Sequence, residues 1–130
     1  MEFPDDVHYT AEHEWLRLED DGLVVVGITD YAQDQLGDIV FVQLPDVSDT
    51  VLSKDEKLAE IESVKTVSEV YAPISGKVVK VNTDLADGPE VLNEDPYGYG
   101  WLVHMEPSDD DPSAGLMSAD EYRDLVSEGD

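Results

Sequence analysis

EIESVKTVSEVYAPISGKVVKV, residues 60–81, holds two strand-like segments joined by a very short turn. Leu58 to Glu62 sets apolar side chains among charged ones, and Val67 to Ala72 repeats the pattern before closing on a Pro73–Gly76 turn. Two such segments a few residues apart read as a β-hairpin whose tip is pushed into solvent. Lys65 falls on that tip and offers a primary amine open to acylation. The same position also suits a solvated surface lysine, so its neighbours must decide between the two.

Upstream, Glu14 to Leu18 reads as a strand, Asp20–Gly22 as a turn, and Leu23 to Ile28 as the returning strand. Thr29 is placed to cap a short helix running through Gln35, with Gly37 placed to end it. Asp38 to Leu44 resumes as a strand closed by Pro45, and a loop over 46–54 leads into the hairpin. Downstream, Lys77 to Val81 and Trp101 to Met105 read as further strands. Short strands with frequent turns predict an all-β sandwich or barrel. Residues 108–115, SDDDPSAG, read as a polar linker. The Ser118/Glu121 spacing predicts a capping box opening an amphipathic helix from 119 to about 127, packed on the sandwich.

At 130 residues the chain is expected to be one domain. A carrier core is expected over 22–106, with linker and helix over 107–130. A chain of this length buries roughly two-thirds of its unfolded surface, enough for one core. It has no cysteine, so any thiol or redox chemistry must come from an attached group. MEFPDDVHYTAEHEW has neither a basic n-region nor an apolar h-region. No signal peptide, membrane span or membrane partner is therefore expected, and the chain reads as soluble and cytoplasmic.

The formal net charge is −25, with only seven Lys and Arg. Nucleic-acid binding is excluded, because no basic patch exists to displace counterions. Five of the seven cations, Lys54, Lys57, Lys65, Lys77 and Lys80, fall between 54 and 80 and are matched there by five acids. The hairpin region is thus charge-balanced inside a strongly repelling surface, and partners are expected to approach there. Self-repulsion of this size destabilises a compact state at low ionic strength. At 1 M salt the Debye length is about 3 Å and most of the penalty disappears. We expect a protein suited to a salt-rich cytoplasm, as in an extreme halophile. Ordered alternation with 41% hydrophobic residues argues against an acidic disordered chain.

Other chemistry is weakly signalled. His8 and His13 have neither helical nor strand ligand spacing, and no metal site is expected. Acid pairs such as Glu12 and Glu14 suit general acid/base work in principle but read mainly as solvated surface. Nucleotide-binding and nucleophile-elbow motifs are absent. The run Tyr97 to Trp101, YGYGW, suits a ligand-stacking loop or, more simply, a turn built on glycines.

Four collinear segments, HEWL at 13–16, GITDYAQDQLGDIVFVQLP at 27–45, ESVKTVSEVYAPISGKVVKVN at 62–82 and NEDPYGYGWL at 93–102, make the chain resemble the H protein of the glycine cleavage system. The resemblance covers roughly residues 7 to 127. It implies a mainly β fold, the flattened barrel–sandwich hybrid of lipoyl domains. It also implies lipoic acid joined by an amide to Lys65, and a shuttle that itself catalyses nothing. The implied partners are a pyridoxal-phosphate glycine decarboxylase, an aminomethyltransferase, dihydrolipoyl dehydrogenase, and the lipoyl ligase or transferase that loads the lysine.

In this family the loaded arm folds into a cleft on the carrier, and the aligned cleft residues here are Glu14 and Glu69. A carboxylate facing the aminomethyl amine would hold it by a charge-assisted contact. The family often has a shorter Asp in place of Glu69 and a small polar residue in place of Glu12. Two alternatives stay open at this level: an H-like protein relaying lipoyl groups, or a lipoyl or biotinyl carrier for other enzymes. Biotinyl hairpins usually flank the lysine with methionines, whereas Val64 and Thr66 stand here. A non-carrier interaction module comes last. Repulsion disfavours self-association, so a monomer is expected.

Overall fold

Strand alternation sends Trp15 and Leu16 to opposite faces, and both side chains are fully buried. The computed structural model, which describes residues 1–45 and 50–129, therefore has apolar packing on both sides of its first long strand. Leu16 faces an inner core with Val24, Val26, Ile39, Ile61, Val78 and Met105. Trp15 faces an outer cluster with Tyr9, Val25, Tyr97 and Tyr122.

The strands are β1 (His8–Tyr9), β2 (Glu14–Leu18), β3 (Val24–Ile28), β4 (Ile39–Gln43), β5 (Val51–Leu52), β6 (Lys57–Ser63), β7 (Val67–Tyr71), β8 (Gly76–Val81) and β9 (Val103–Pro107). They pair antiparallel into a six-stranded sheet, β1-β2-β3-β9-β8-β5, and a three-stranded sheet, β4-β6-β7. The fold is mainly β, a two-sheet sandwich with few helices, as expected. Helices α1 (Asp30–Leu36), α2 (Val91–Glu94) and α3 (Ala119–Gly129) complete it with a 3₁₀ turn at Thr83–Ala86.

Local chemistry explains most of the boundaries. Thr29 caps α1 by accepting the Ala32 N–H at 3.1 Å, and Gly37 ends it at φ +80° with its N–H on the Gln33 carbonyl. The predicted capping box opens α3: Ser118 Oγ accepts the Glu121 N–H at 3.2 Å, and Glu121 Oε1 accepts the Ser118 N–H at 3.0 Å. Helix α3 runs two residues further than expected, to Gly129. Gly27 has no side chain because Trp15 crosses it: a β-carbon there would lie 2.6 Å from the indole ring.

Three differences from the sequence reading have tertiary causes. The two-residue strand β1 exists because Tyr9 pairs with Trp15 on one side and Met117 on the other. Short strand β5 forms inside the loop expected over 46–54, held by Val51 and Leu52 against Lys77 and Gly76; positions 46–49 of that loop lie outside the described residues. The last strand starts at Val103 rather than Trp101, because Trp101 closes a turn onto the Gly98 carbonyl.

Candidate functional site

The hairpin β6–β7 is closed by Ser63. Its backbone N–H donates to the Thr66 carbonyl at 2.8 Å, and its half of the tip is anchored where Val64 N–H donates to the Asp38 carbonyl at 3.0 Å. The Ser63 hydroxyl, nearly buried, accepts the N–H groups of Lys65 at 3.2 Å and Thr66 at 3.1 Å. The turn is therefore satisfied from inside, and Val64, Lys65 and Thr66 stand exposed. Among the described residues Lys65 joins none of the three ion pairs.

The tip rests on the end of α1. The Lys65 side chain lies over Gly37, and the Gly37–Ile39 loop is gripped by Asn93 of α2. Asn93 Oδ1 accepts the Ile39 N–H at 2.9 Å while its Nδ2 donates to the Gly37 carbonyl at 2.9 Å and Gln33 Oε1 at 3.0 Å. Four exposed apolar side chains, Val40, Phe41, Val64 and Val67, surround this tip. Phe41, Glu62 and Val67 share one row across the sheet, which places the first and last on a common outer face.

Beside the tip, between α1 and β7, lies a cleft of about 320 Å³. Ile28, Leu36, Ile61 and Val70 give it apolar walls, and Glu12, His13, Glu14, Tyr31 and Glu69 give it polar groups. The two sequence-identified acids thus meet: Glu14 comes from β2 and Glu69 from β7, four residues beyond Lys65. Lys65 itself is outside the cleft, at its hairpin edge.

Glu14 is 3% exposed. It accepts the Thr10 hydroxyl at 2.7 Å and the Tyr71 N–H at 3.4 Å, with no cationic partner among the described residues. Burial dominates and pushes its carboxyl up to about 7 against those two hydrogen bonds, while Glu12 and Asp55 add repulsion. Glu69 stays exposed and accepts the Tyr71 hydroxyl at 3.3 Å. The cleft can take an apolar chain along its walls and a cationic or amine group at the Glu14 end.

His13 and Tyr31 also belong to this cleft; from sequence His13 was weighed only as a metal ligand, and Tyr31 was not singled out. Only the position of His13 beside Glu14 hinted at it, and nothing local marked Tyr31. The Tyr97–Trp101 run is structural. The Tyr97 hydroxyl accepts the Asp30 N–H and donates to the Glu2 carbonyl, both at 3.0 Å, and burial raises it to about 12. A β-carbon on Gly100 would lie 2.8 Å from the Asp95 carbonyl oxygen. His104 lies away from the cleft, edge-on to Trp101. Among the described residues no cluster of three or more His, Asp or Glu could hold a metal ion, and no helix is long and apolar enough to cross a membrane.

Comparison with known proteins bears on this geometry. The family model described as Glycine cleavage H-protein matches residues 7–129. The glycine cleavage system H protein of Psychrobacter sp. (strain PRwf-1) is 57% identical over 120 residues, covering 92% of this chain and 94% of that protein. That of Halalkalibacterium halodurans is 55% identical over 125 residues, 96% of each. Among solved structures, the crystal structure of a glycine cleavage system H protein from Mycobacterium marinum superposes with a TM-score of 0.87 at 44% identity. It covers 95% of this chain and 98% of that one.

Proposed function

The chain belongs to the glycine cleavage H-protein family, and from that premise we propose that it is the lipoyl shuttle of the glycine cleavage system with Lys65 as the attachment point. One observation carries the assignment: an exposed, unpaired lysine on a braced hairpin tip stands beside a cleft with apolar walls and carboxylates. Those features fit the group. The lysine supplies the amine for the amide, the apolar walls suit a hydrocarbon arm, and Glu14 and Glu69 suit an amine at its end.

When bound, a lipoyl group supplies a dithiolane that opens to two thiols and closes again by exchange. The chain's own residues supply placement. Ser63 and Asn93 hold the tip rigid, so that the arm swings from a fixed pivot. Ile28, Leu36, Ile61 and Val70 exclude water from an arm lying in the cleft. Glu14 holds an amine there by a charge-assisted contact and, being buried, does so in a low-dielectric setting. The chain contributes no catalytic residue of its own. The decarboxylase, aminomethyltransferase, dihydrolipoyl dehydrogenase and lipoyl-attaching enzyme act on the arm in turn. We place the shuttle in the cytoplasm as a monomer that makes weak contacts around the charge-balanced hairpin.

Intact-mass and peptide mass spectrometry of protein from its own cells tests this. A lipoyl increment on Lys65 is expected, and Lys65→Arg should fold normally yet acquire no lipoyl group and support no glycine cleavage. A biotin increment, or an unmodified Lys65 in native material, would remove the assignment.

A further inference from the structure

The hydrogen bonds of His13 run through three elements. Its Nδ1 lies 2.7 Å from the Tyr122 hydroxyl of α3, which lies 2.8 Å from Thr29 Oγ1 at the cap of α1. Thr29 Oγ1 in turn accepts the Ala32 N–H. Tyr122 and Thr29 are fully buried, so each hydroxyl hydrogen needs an acceptor inside the protein. One order satisfies both: Thr29 donates to Tyr122, and Tyr122 donates to His13 Nδ1. The reverse order leaves the Thr29 hydrogen with no acceptor among the described residues.

An imidazole whose Nδ1 accepts carries its hydrogen on Nε2. Among the described residues no buried side-chain nitrogen or oxygen lacks a partner. The Nε2 atom has none among the described residues, so this edge of the ring is open to solvent, and His13 lines the cleft. We propose that His13 is a neutral donor of the arm cleft, presenting Nε2–H to a sulfur of the lipoyl group, and that Tyr122 is the positioning residue fixing this tautomer.

The inference rests on the reading of Lys65 as the lipoyl site and adds chemistry that the acids lack. The carboxyl oxygens of Glu12, Glu14 and Glu69 accept hydrogen bonds and so suit an amine, whereas a dithiolane sulfur, with no hydrogen of its own, needs a donor. The titratable groups around the ring are Glu12 and Glu14 on its own segment, Tyr31 of α1 at 4.8 Å between ring centroids, Tyr122 of α3, and Glu69 across the cleft. Burial keeps His13 below its ordinary pKa, and Glu12 opposes that. A hydrogen-bond chain that accepts only neutral imidazole acts in the same direction as burial.

Long-range proton–nitrogen correlation spectra of histidine-labelled protein, with and without the lipoyl group on Lys65, test this. Mass spectrometry of each sample reports lipoylation separately, so failure of the Lys65 reading shows as a missing increment. In unmodified protein at pH 7, His13 should be the neutral Nε2–H tautomer, with His8 and His104 as internal controls. Tyr122→Phe keeps the ring stacked on Tyr9, 4.5 Å away and parallel, and should mix the two tautomers and raise the His13 pKa. With the arm reduced, the His13 Nε2 signal should shift. In the reduced lipoylated protein at pH 7, His13→Phe should slow alkylation of the arm thiols by iodoacetamide about twofold, because losing the donor lowers the thiolate fraction more than it raises nucleophilicity. His13→Gln, which keeps an N–H donor, should react at the wild-type rate. An Nδ1–H tautomer, a His13 signal indifferent to lipoylation, or equal alkylation rates in the two variants would overturn the proposal.

Discussion

The Cε atom of Lys65 lies 3.1 Å from the point where a β-carbon would stand on Gly37. The C-cap of α1 is thus the floor beneath the hairpin tip, and Gly37 leaves room for the lysine to cross it.

Gly37→Ala strains this contact twice. The backbone there has φ +80° and ψ −156°, a region open essentially to glycine alone that costs a side chain about 1–3 kcal/mol. The added methyl also displaces Lys65. We expect thermal unfolding to fall by several degrees and the rate of lipoyl attachment in vitro to fall several-fold. An unchanged attachment rate would show that the pivot does not depend on this floor.

Ser63→Ala removes the acceptor inside the turn. The Lys65 and Thr66 amides then turn to water, at a cost of about 1 kcal/mol. Hydrogen exchange at those two amides should quicken while exchange in the middle of β6 and β7 stays slow. Uniform quickening along the hairpin would mean that Ser63 supports the sheet and not the tip.

Glu14 makes stability depend on pH in the direction opposite to a salt-bridged acid. Its folded pKa is raised from 4.5 to about 7, so between those values the folded state holds more protons than the unfolded one. Stability from this group is complete below the unfolded value and declines as pH rises towards 7, by about 3 kcal/mol in all. Glu14→Gln carries no such charge. Urea unfolding should find the variant close to wild type at pH 4.5 and more stable at pH 8; parallel curves would refute the burial argument.

Seven basic residues cannot neutralise 32 acidic ones, and the three ion pairs among the described residues all lie at the surface. Exposed pairs of that kind contribute little. Screening must then come from solvent, and the melting temperature should climb with KCl from millimolar to molar concentrations. A flat response in dilute buffer would dispose of the expected adaptation to salt.

Much of this arrangement was legible because its signals are local. The strand at Glu14–Leu18, the helix between Thr29 and Gly37 and the capping box at Ser118 and Glu121 each depend on side chains a few positions apart. Propensity and capping act at that range. Strands β1 and β5 were not legible, because two residues carry no period; distant partners alone make them strands.

The sequence by itself determined that a lysine would stand on a hairpin tip in a charge-balanced stretch of a highly acidic chain, since alternation and turn chemistry require nothing remote. Only the tertiary structure decided how the groups beside that lysine come together. Folding brings Glu14 of β2 to the same cleft as Glu69 of β7, Asn93 to the loop under the tip, and Tyr122 across 109 residues to His13. Burial, which raises Glu14 and lowers His13, belongs to no single residue and arises only when the two sheets and α3 close around them.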